Sequence, residues 1–376
     1  MADVFEGVWG QPRVREFLRA SVKAGRVTQA YLFTGPAGSN KTRAAYALAA
    51  ALLCDKGGCG TCEVCQRVLK GKHPDVRYFA PEGANAYLVE QIRDVVADTS
   101  LAPIQANRKI YILDRADQLG AAPANAFLKT LEEPPDDVVI ILLARTRDSV
   151  LPTILSRCQV VPFRHIPANE AAGILAQNTG ASIATAKIAI EACGGSVSRG
   201  VEFLKSNERL EFRRRALEAA SHLDQCDDWD IICRAKELVG LVNAPLDTVR
   251  AAQEAELARN ADFLAKSAIR QIEAKNKRAL SAKSAESLRQ LLAIFASFLR
   301  DVLAVCAETP ALVINVDVKD QIEEVAASTD EARAGRALAC ISRASQAISY
   351  NVSPETCIDA LLFEVREALY GSDSAR

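Results

Sequence analysis

The residues best placed to do chemistry lie in the run Tyr31-Leu32-Phe33-Thr34-Gly35-Pro36-Ala37-Gly38-Ser39-Asn40-Lys41-Thr42. Ala30 to Phe33 is a short apolar run that reads as a buried strand, and Arg43 to Leu53 is Ala-rich and reads as a helix. Strand, glycine-bearing loop and helix in that order are the setting a phosphate-binding loop requires. In such a loop the backbone N–H groups at Gly35, Gly38 and Asn40 face the phosphates of ATP. Lys41 reaches the β- and γ-phosphates, and the Thr42 hydroxyl holds Mg²⁺. The pattern G-x-x-x-x-G-K-[ST] is broken at one place, where Asn40 replaces the second glycine. Glycine serves there because the backbone approaches phosphate in a conformation that a Cβ resists, and Asn tolerates positive φ better than most residues. Two readings stay open: a nucleotide site, and a strand–turn–helix that has lost its ligand.

A second constellation follows the helix. Cys54, Cys59, Cys62 and Cys65 give C-x4-C-x2-C-x2-C, four thiols within twelve residues. That spacing suits a closed tetrahedral Zn²⁺ site, with Gly57, Gly58 and Gly60 turning the backbone around the metal. An iron–sulfur cluster is the rival, since C-x4-C-x2-C occurs in plant-type ferredoxins, though their fourth cysteine is normally distant. Unmetallated thiols are the third reading. His73 lies nearby, but four cysteines already complete a shell, so a turn with Pro74 is expected of it.

Two further residues carry chemical meaning. Asp114 ends the strand-like run Lys109-Ile110-Tyr111-Ile112-Leu113-Asp114, where an acid would hold Mg²⁺ beside the phosphate loop; the bland reading is a strand-end turn residue. A hydrolysing ATPase of this kind usually follows that acid with a Glu that orients water. Here Arg115 follows, and Asp117 stands three residues beyond Asp114. Arg157, in Ser156-Arg157-Cys158, is suited to neutralise charge on a γ-phosphate held by another chain. Taken alone, an Arg in a helix-to-strand turn is more often a surface salt-bridge partner.

These residues need a scaffold, and the chain supplies one by alternation. Val76 to Phe79, Lys109 to Asp114, Val138 to Ala144 and Val160 to Phe163 read as further strands. Val14 to Val22, Val89 to Val96 and Asn125 to Glu133 read as helices, the last stopped by Pro134-Pro135. Such alternation up to about residue 165 predicts a doubly wound α/β domain. Beyond Pro167, three small helices are expected at Asn169–Gln177, Ile183–Ala192 and Ser198–Leu204, a helical lid over 167–208. From 209 to 376 strands nearly vanish. Leu288, Leu291, Leu292, Phe295, Phe298, Leu299, Val302 and Leu303 form a helical stripe, and Ser353-Pro354 starts a final helix whose face holds Ile358, Leu361, Leu362, Val365 and Leu369. The charged stretch Ala252 to Arg278 reads as a solvated helix face.

Composition bounds the rest. With 376 residues the chain has room for two or three domains and a real core. Forty-six basic against 47 acidic residues give no global field for nucleic acid, so any DNA contact is local or shared. Met1-Ala2-Asp3-Val4 has neither the charge nor the apolar stretch of a signal peptide, and no apolar run approaches a membrane span; a cytoplasmic protein without membrane contact is expected. Eleven cysteines, an odd number, argue against a full disulfide set.

Together these residues resemble a known family. Ala30-Tyr31-Leu32-Phe33, the four-cysteine insert, His73-Pro74-Asp75, Leu128-Lys129-Thr130-Leu131-Glu132-Glu133-Pro134-Pro135 and Ser156-Arg157-Cys158 come in the order of bacterial DNA polymerase III clamp-loader subunits of the AAA+ class. The match is dense over residues 8–165 and loose over the lid. In the last 170 residues it is weak, with Asn351-Val352-Ser353 its most indicative part. The chain resembles the delta-prime branch more than the gamma/tau motor. Ala80-Pro81-Glu82-Gly83 follows His-Pro-Asp, Arg115 replaces the water-orienting acid, and Arg145 stands where the motor carries a sensor Thr. Near Gly195-Ser196 the motor places Arg where this chain has Ser198, with Arg199 one step late.

The resemblance implies three domains: an α/β P-loop NTPase domain (1–166) with a four-cysteine zinc insert (54–65), the lid (167–208) and an all-α collar (209–376). It implies a hetero-pentamer with gamma/tau and delta subunits that opens a sliding clamp and places it on primed DNA. Arg157 would act in trans as an arginine finger, and Lys41-Thr42 would be a vestigial or non-hydrolytic site. Val8 and Gln11 would lie near the adenine of any bound nucleotide. Two other functions compete: a self-sufficient ATPase motor using Lys41 and Asp114, and a zinc-stabilised adaptor with neither activity. The collar is longer than five short helices need.

Overall fold

The computed structural model describes residues 3–82, 86–260, 266–348 and 352–371. Gly83, Asn351 and part of the charged stretch 252–278 therefore lie outside the described residues. The chain divides into two compact units, one of residues up to 178 with 195–198, the other of 179–194 with 199 onward.

In the first unit, β1 (Ala30–Thr34), β2 (Val76–Phe79), β3 (Lys109–Leu113), β4 (Val138–Ala144) and β5 (Gln159–Pro162) form one sheet. All pairs are parallel, in the order β2-β3-β4-β1-β5. β1, β3 and β4 are buried along their whole length, which is why each reads as an unbroken apolar run. Their side chains alternate between two cores. Tyr31, Phe33, Ile110, Ile112, Ile141 and Leu143 share one core with α1 (Pro12–Lys23) and α2 (Lys41–Leu53). Leu32, Tyr111, Leu113, Ile140 and Leu142 share the other with α4 (Val89–Thr99) and α5 (Ala121–Glu132).

The expected elements form, with shifted ends. α5 begins at Ala121, four residues before the expected start, because Pro123 sits in the first turn, where its missing N–H has no helical partner to lose. Between β1 and β2, one helix had no sequence signal. α3 (Glu63–Leu69) is capped by the Cys62 sulfur, which accepts from Cys65 N–H, where a capping rule looks for Ser, Thr, Asp or Asn. Short α6 (Pro152–Leu155) precedes β5, and α7 (Ala168–Thr179) follows it.

The second unit is helical. α8 (Ile183–Ala192) belongs to it, while α9 (Val197–Lys205) crosses the division between the two units. α10 (Asn207–Ser221), α11 (Asp228–Asn260), α12 (Lys266–Cys306), α13 (Lys319–Ala327), α14 (Glu331–Ala347) and α15 (Pro354–Tyr370) surround one core. The expected stripe from Leu288 to Val302 is buried at the centre, with Leu303 at its margin, and the face of α15 packs against it. The excess length of this region is in α11 and α12. Core positions of α11 end at Leu246 and those of α12 begin at Leu288, so both helices run on beyond the core. No described helix is long and apolar enough to cross a membrane.

Candidate functional site: a phosphate-type loop and a cysteine knuckle at the two ends of one helix

α2 carries a candidate site at each end. At its N-terminus, Gly38 has φ 78°, and a Cβ there would lie 2.8 Å from the Gly195 carbonyl oxygen, so no larger residue fits. Asn40 has φ 67° and ψ 21°, the left-handed conformation expected at the position glycine usually fills. Its side chain fixes it there. Nδ2 donates to the Trp9 carbonyl at 2.9 Å, and Oδ1 accepts from Ser198 Oγ at 3.1 Å. Gln11 adds a second tether, donating to Ser39 O at 3.2 Å and to Arg164 O at 2.8 Å while accepting from Arg164 N–H at 3.2 Å. Val8 is fully buried.

Lys41 folds back on the loop. Its Nζ donates to Gly35 O at 2.5 Å, Pro36 O at 2.8 Å and Ser39 Oγ at 3.3 Å. Burial pushes its pKa down to about 8, with Asp114 and Asp117 opposing the fall and Arg145 adding to it. Thr42 is exposed. The structure thus brings Lys41, Asp114, Asp117 and Arg145 into one electrostatic neighbourhood. Asp114 is itself engaged: its carboxylate is near enough to Tyr78 to add to the burial that pushes that phenol up, Arg115 Nε stands 4.0 Å from it, and Tyr87 donates to its carbonyl at 2.6 Å. Asp117 Oδ1 accepts from Arg145 N–H at 3.3 Å. Tyr78 carried no functional signal of its own in the sequence, and Ser198 stood out only as the place of a missing Arg; its bond to Asn40 was not legible because the two lie 158 residues apart.

At the C-terminus of α2, the four cysteine sulfurs lie within 4.8 Å of one another. A tetrahedral ion with metal–sulfur bonds of about 2.3 Å requires sulfurs about 3.8 Å apart. Cys54 Sγ is 3.8 Å from Cys59 Sγ and 3.7 Å from Cys62 Sγ. That spacing fits one ion at the centre and leaves no room for a multi-iron cluster between the sulfurs. Backbone N–H groups of Cys62 and Cys65 point at the sulfurs of Cys59 and Cys62, each at 3.4 Å, and Thr61 Oγ1 approaches Cys59 Sγ at 3.6 Å. These donors, led by the Thr61 backbone, pull the Cys59 thiol down to about 6, whereas burial pushes Cys65 up. A divalent cation would hold all four as thiolates. Gly57, Gly58 and Gly60 have positive φ, as the turn around a metal needs. His73 stands apart: it is buried in its turn and its Nδ1 accepts from Asp75 N–H at 3.2 Å.

Arg157 follows α6. Its Nε and Nη2 pair with Glu132, the last residue of α5, and Nη1 donates to Thr153 O at 2.8 Å and Ser156 Oγ at 3.1 Å. Two motifs separated in sequence, Leu-Glu-Glu-Pro-Pro and Ser-Arg-Cys, thus meet through one ion pair. The side chain is 29% exposed, and an open cavity is lined by Leu131, Glu132, Ser156 and Arg157.

Residues 10–167 match the family model described as DNA polymerase III, delta subunit. Among curated relatives, subunit delta' of Bacillus subtilis is 38% identical over 157 residues, 41% of this chain and 47% of that protein. Subunit delta' of Pseudomonas aeruginosa is 37% identical over 166 residues, 42% of this chain and 48% of that protein. Subunit gamma/tau of Mycobacterium tuberculosis is 34% identical over 177 residues, 46% of this chain and 31% of that protein. The alignments span about half or less of these relatives' lengths. A gamma subunit-related protein of Thermotoga maritima is structurally similar at a TM-score of 0.43 and 16% identity, covering 94% of this chain and 99% of that one. Over residues 10–167, then, the chain matches this DNA polymerase III family model and is similar to both delta-prime and gamma/tau subunits.

Proposed function

We propose that the chain is a delta-prime-type stator of a bacterial clamp loader. It assembles with gamma/tau and delta subunits, breaks no ATP itself, and offers Arg157 to ATP held by an adjacent motor subunit. The complex then loads a sliding clamp on primed DNA in the cytoplasm. One observation carries this reading. The guanidinium of Arg157 is at the surface beside an open cavity, while the phosphate loop has no carboxylate directly after Asp114. Arg157 is paired with Glu132 in the isolated chain, and a phosphate from a neighbour would have to compete with that carboxylate. The lid (167–208) and collar (209–376) are parts of the same proposal. So is Zn²⁺ as the ion of Cys54, Cys59, Cys62 and Cys65, supported by sulfur spacings of 3.7 and 3.8 Å. Resident ATP–Mg²⁺ at Lys41-Thr42, with Val8 and Gln11 near the adenine, is no part of the stator's chemistry.

The test is ATP turnover by the chain alone and after reconstitution with motor subunits. The isolated chain is expected to be inactive. Arg157→Ala is expected to lower the DNA-stimulated rate of the complex about a thousandfold or more while assembly survives. A mutant complex that keeps its rate ends the stator reading. The gamma/tau relatives keep one other reading in play: if the isolated chain hydrolyses ATP and Lys41→Ala stops it, the chain is a motor.

A further inference from the structure

We infer that metal in the cysteine knuckle sets the geometry of the phosphate loop at the other end of α2, and that residues 3–11 carry the coupling. The inference rests on the metal reading of the four cysteines. α2 has 13 residues, so its two ends are about 20 Å apart. Residues 3–11 bridge that distance.

At the knuckle, Val4 N–H donates to Gly58 O at 3.1 Å, and a Cβ at Gly58 would lie 2.7 Å from Val4 Cγ2 and 3.1 Å from Ala51 Cα. Gly58 directly precedes Cys59, so an ion on Cys54 and Cys59 fixes the carbonyl that receives Val4. The segment then runs along α2 as a short 3-10 helix, Val4–Gly7, with Val4, Phe5 and Val8 in the core and Gly7 against the Arg43 guanidinium. At the far end it holds the loop by the bond from Asn40 Nδ2 to Trp9 O and the bond from Gln11 Nε2 to Ser39 O.

The physics of each end makes the coupling directional. Cys54, Gly58 and Cys65 are buried against the core, but the outer part of the knuckle turn is exposed at Asp55, Lys56, Gly57 and Thr61, so the ion on the sulfurs holds the part that apolar packing does not reach. The loop holds a non-glycine residue in the left-handed region, a conformation that Asn tolerates better than most residues and that the surrounding bonds fix in place. Without the ion, Gly58 O is no longer fixed, the register of residues 3–11 loosens, and Asn40 loses the Trp9 carbonyl. The knuckle is thereby a brace for the loop as well as a local staple.

The experiment compares amide hydrogen exchange in the full chain with zinc bound, with zinc removed by a chelator, and in a zinc-loaded Val4→Pro variant. Zinc is counted in each sample. Val4 is the first residue of a 3-10 helix and follows the extended residue Asp3, so proline fits there and removes the donor to Gly58 while keeping an apolar side chain. The expected result is exchange over residues 37–45 faster by about tenfold in both altered samples, with β3 unchanged. If removing zinc melts β3 as well, the Val4→Pro variant decides. A one-zinc chain whose loop ignores both changes, or a Val4→Pro variant that exchanges like the wild type, overturns the coupling and leaves the metal site standing. A chain that takes up no zinc overturns both.

Discussion

The two ends of α2 invite comparison. Both are glycine-bearing turns with polar groups turned inward, yet they differ in how far those groups satisfy each other. At the N-terminal end, Lys41 has three oxygen acceptors within its own loop, and Asn40 spends both sides of its amide on Trp9 and Ser198. An incoming phosphate must displace partners already in place. At the C-terminal end, four sulfurs face a common centre, and the groups around them are donors of the kind that favour thiolates. Gathered thiolates repel one another unless a cation sits among them. A site whose groups are mutually satisfied can persist without its ligand, whereas sulfurs without a cation must take up protons and then hold one another only weakly.

The largest effect should come from breaking the second site. Cys65→Ser removes a buried ligand, and is expected to abolish stoichiometric zinc binding and to cost about 3–5 kcal/mol in chemical denaturation. Equal zinc content in mutant and wild type would show that the sulfurs do not act as a set. At the first site the expected effects are smaller and depend on the replacement. Asn40→Ala adds left-handed strain, since Ala tolerates positive φ less well than Asn, and loses both side-chain bonds, a cost of about 2–3 kcal/mol. Asn40→Gly loses the same bonds but relieves the strain, so it should stay within about 1 kcal/mol of wild type. Similar costs for the two would mean that the backbone conformation at residue 40 carries no strain.

The smallest effect is a pH dependence. Lys41 holds its proton less tightly when folded, at about 8, than in the unfolded chain, near 10.5. Between those pH values the unfolded state binds more protons, so this residue makes stability rise with pH above about 8 and imposes its cost below that. The rise is modest because the group is partly solvated. Lys41→Met should flatten it, as measured by denaturation midpoints at pH 7, 8, 9 and 10.

Much of the architecture was legible because it is local. β1, β3 and β4 are buried on both faces, so each appears as a continuous apolar run, and the stripe from Leu288 to Val302 repeats at helical spacing. The cysteines sit within one turn of chain, so their covalent spacing nearly dictates their meeting. Where a residue's partner is distant, legibility fails. Nothing near Glu132 indicates that it pairs with Arg157, 25 residues away, and nothing near Ser198 indicates Asn40, 158 residues away. α3 was missed for a related reason, since its cap is a sulfur whose role depends on the knuckle.

By itself, then, the sequence determined the kinds of element, their alternation, and which four cysteines gather in the knuckle, because apolar period and covalent spacing are properties of short stretches. It also marked Asn40 and Arg115 as departures from a hydrolysing pattern. Only the tertiary structure decided what those departures do: Asn40 ties the loop to Trp9 and Ser198, and Arg115 adopts a left-handed turn at φ 50° beside Asp114. The reason is that a polar group's role is set by which partners share its low-dielectric surroundings, and those partners are chosen by the packing of the whole domain.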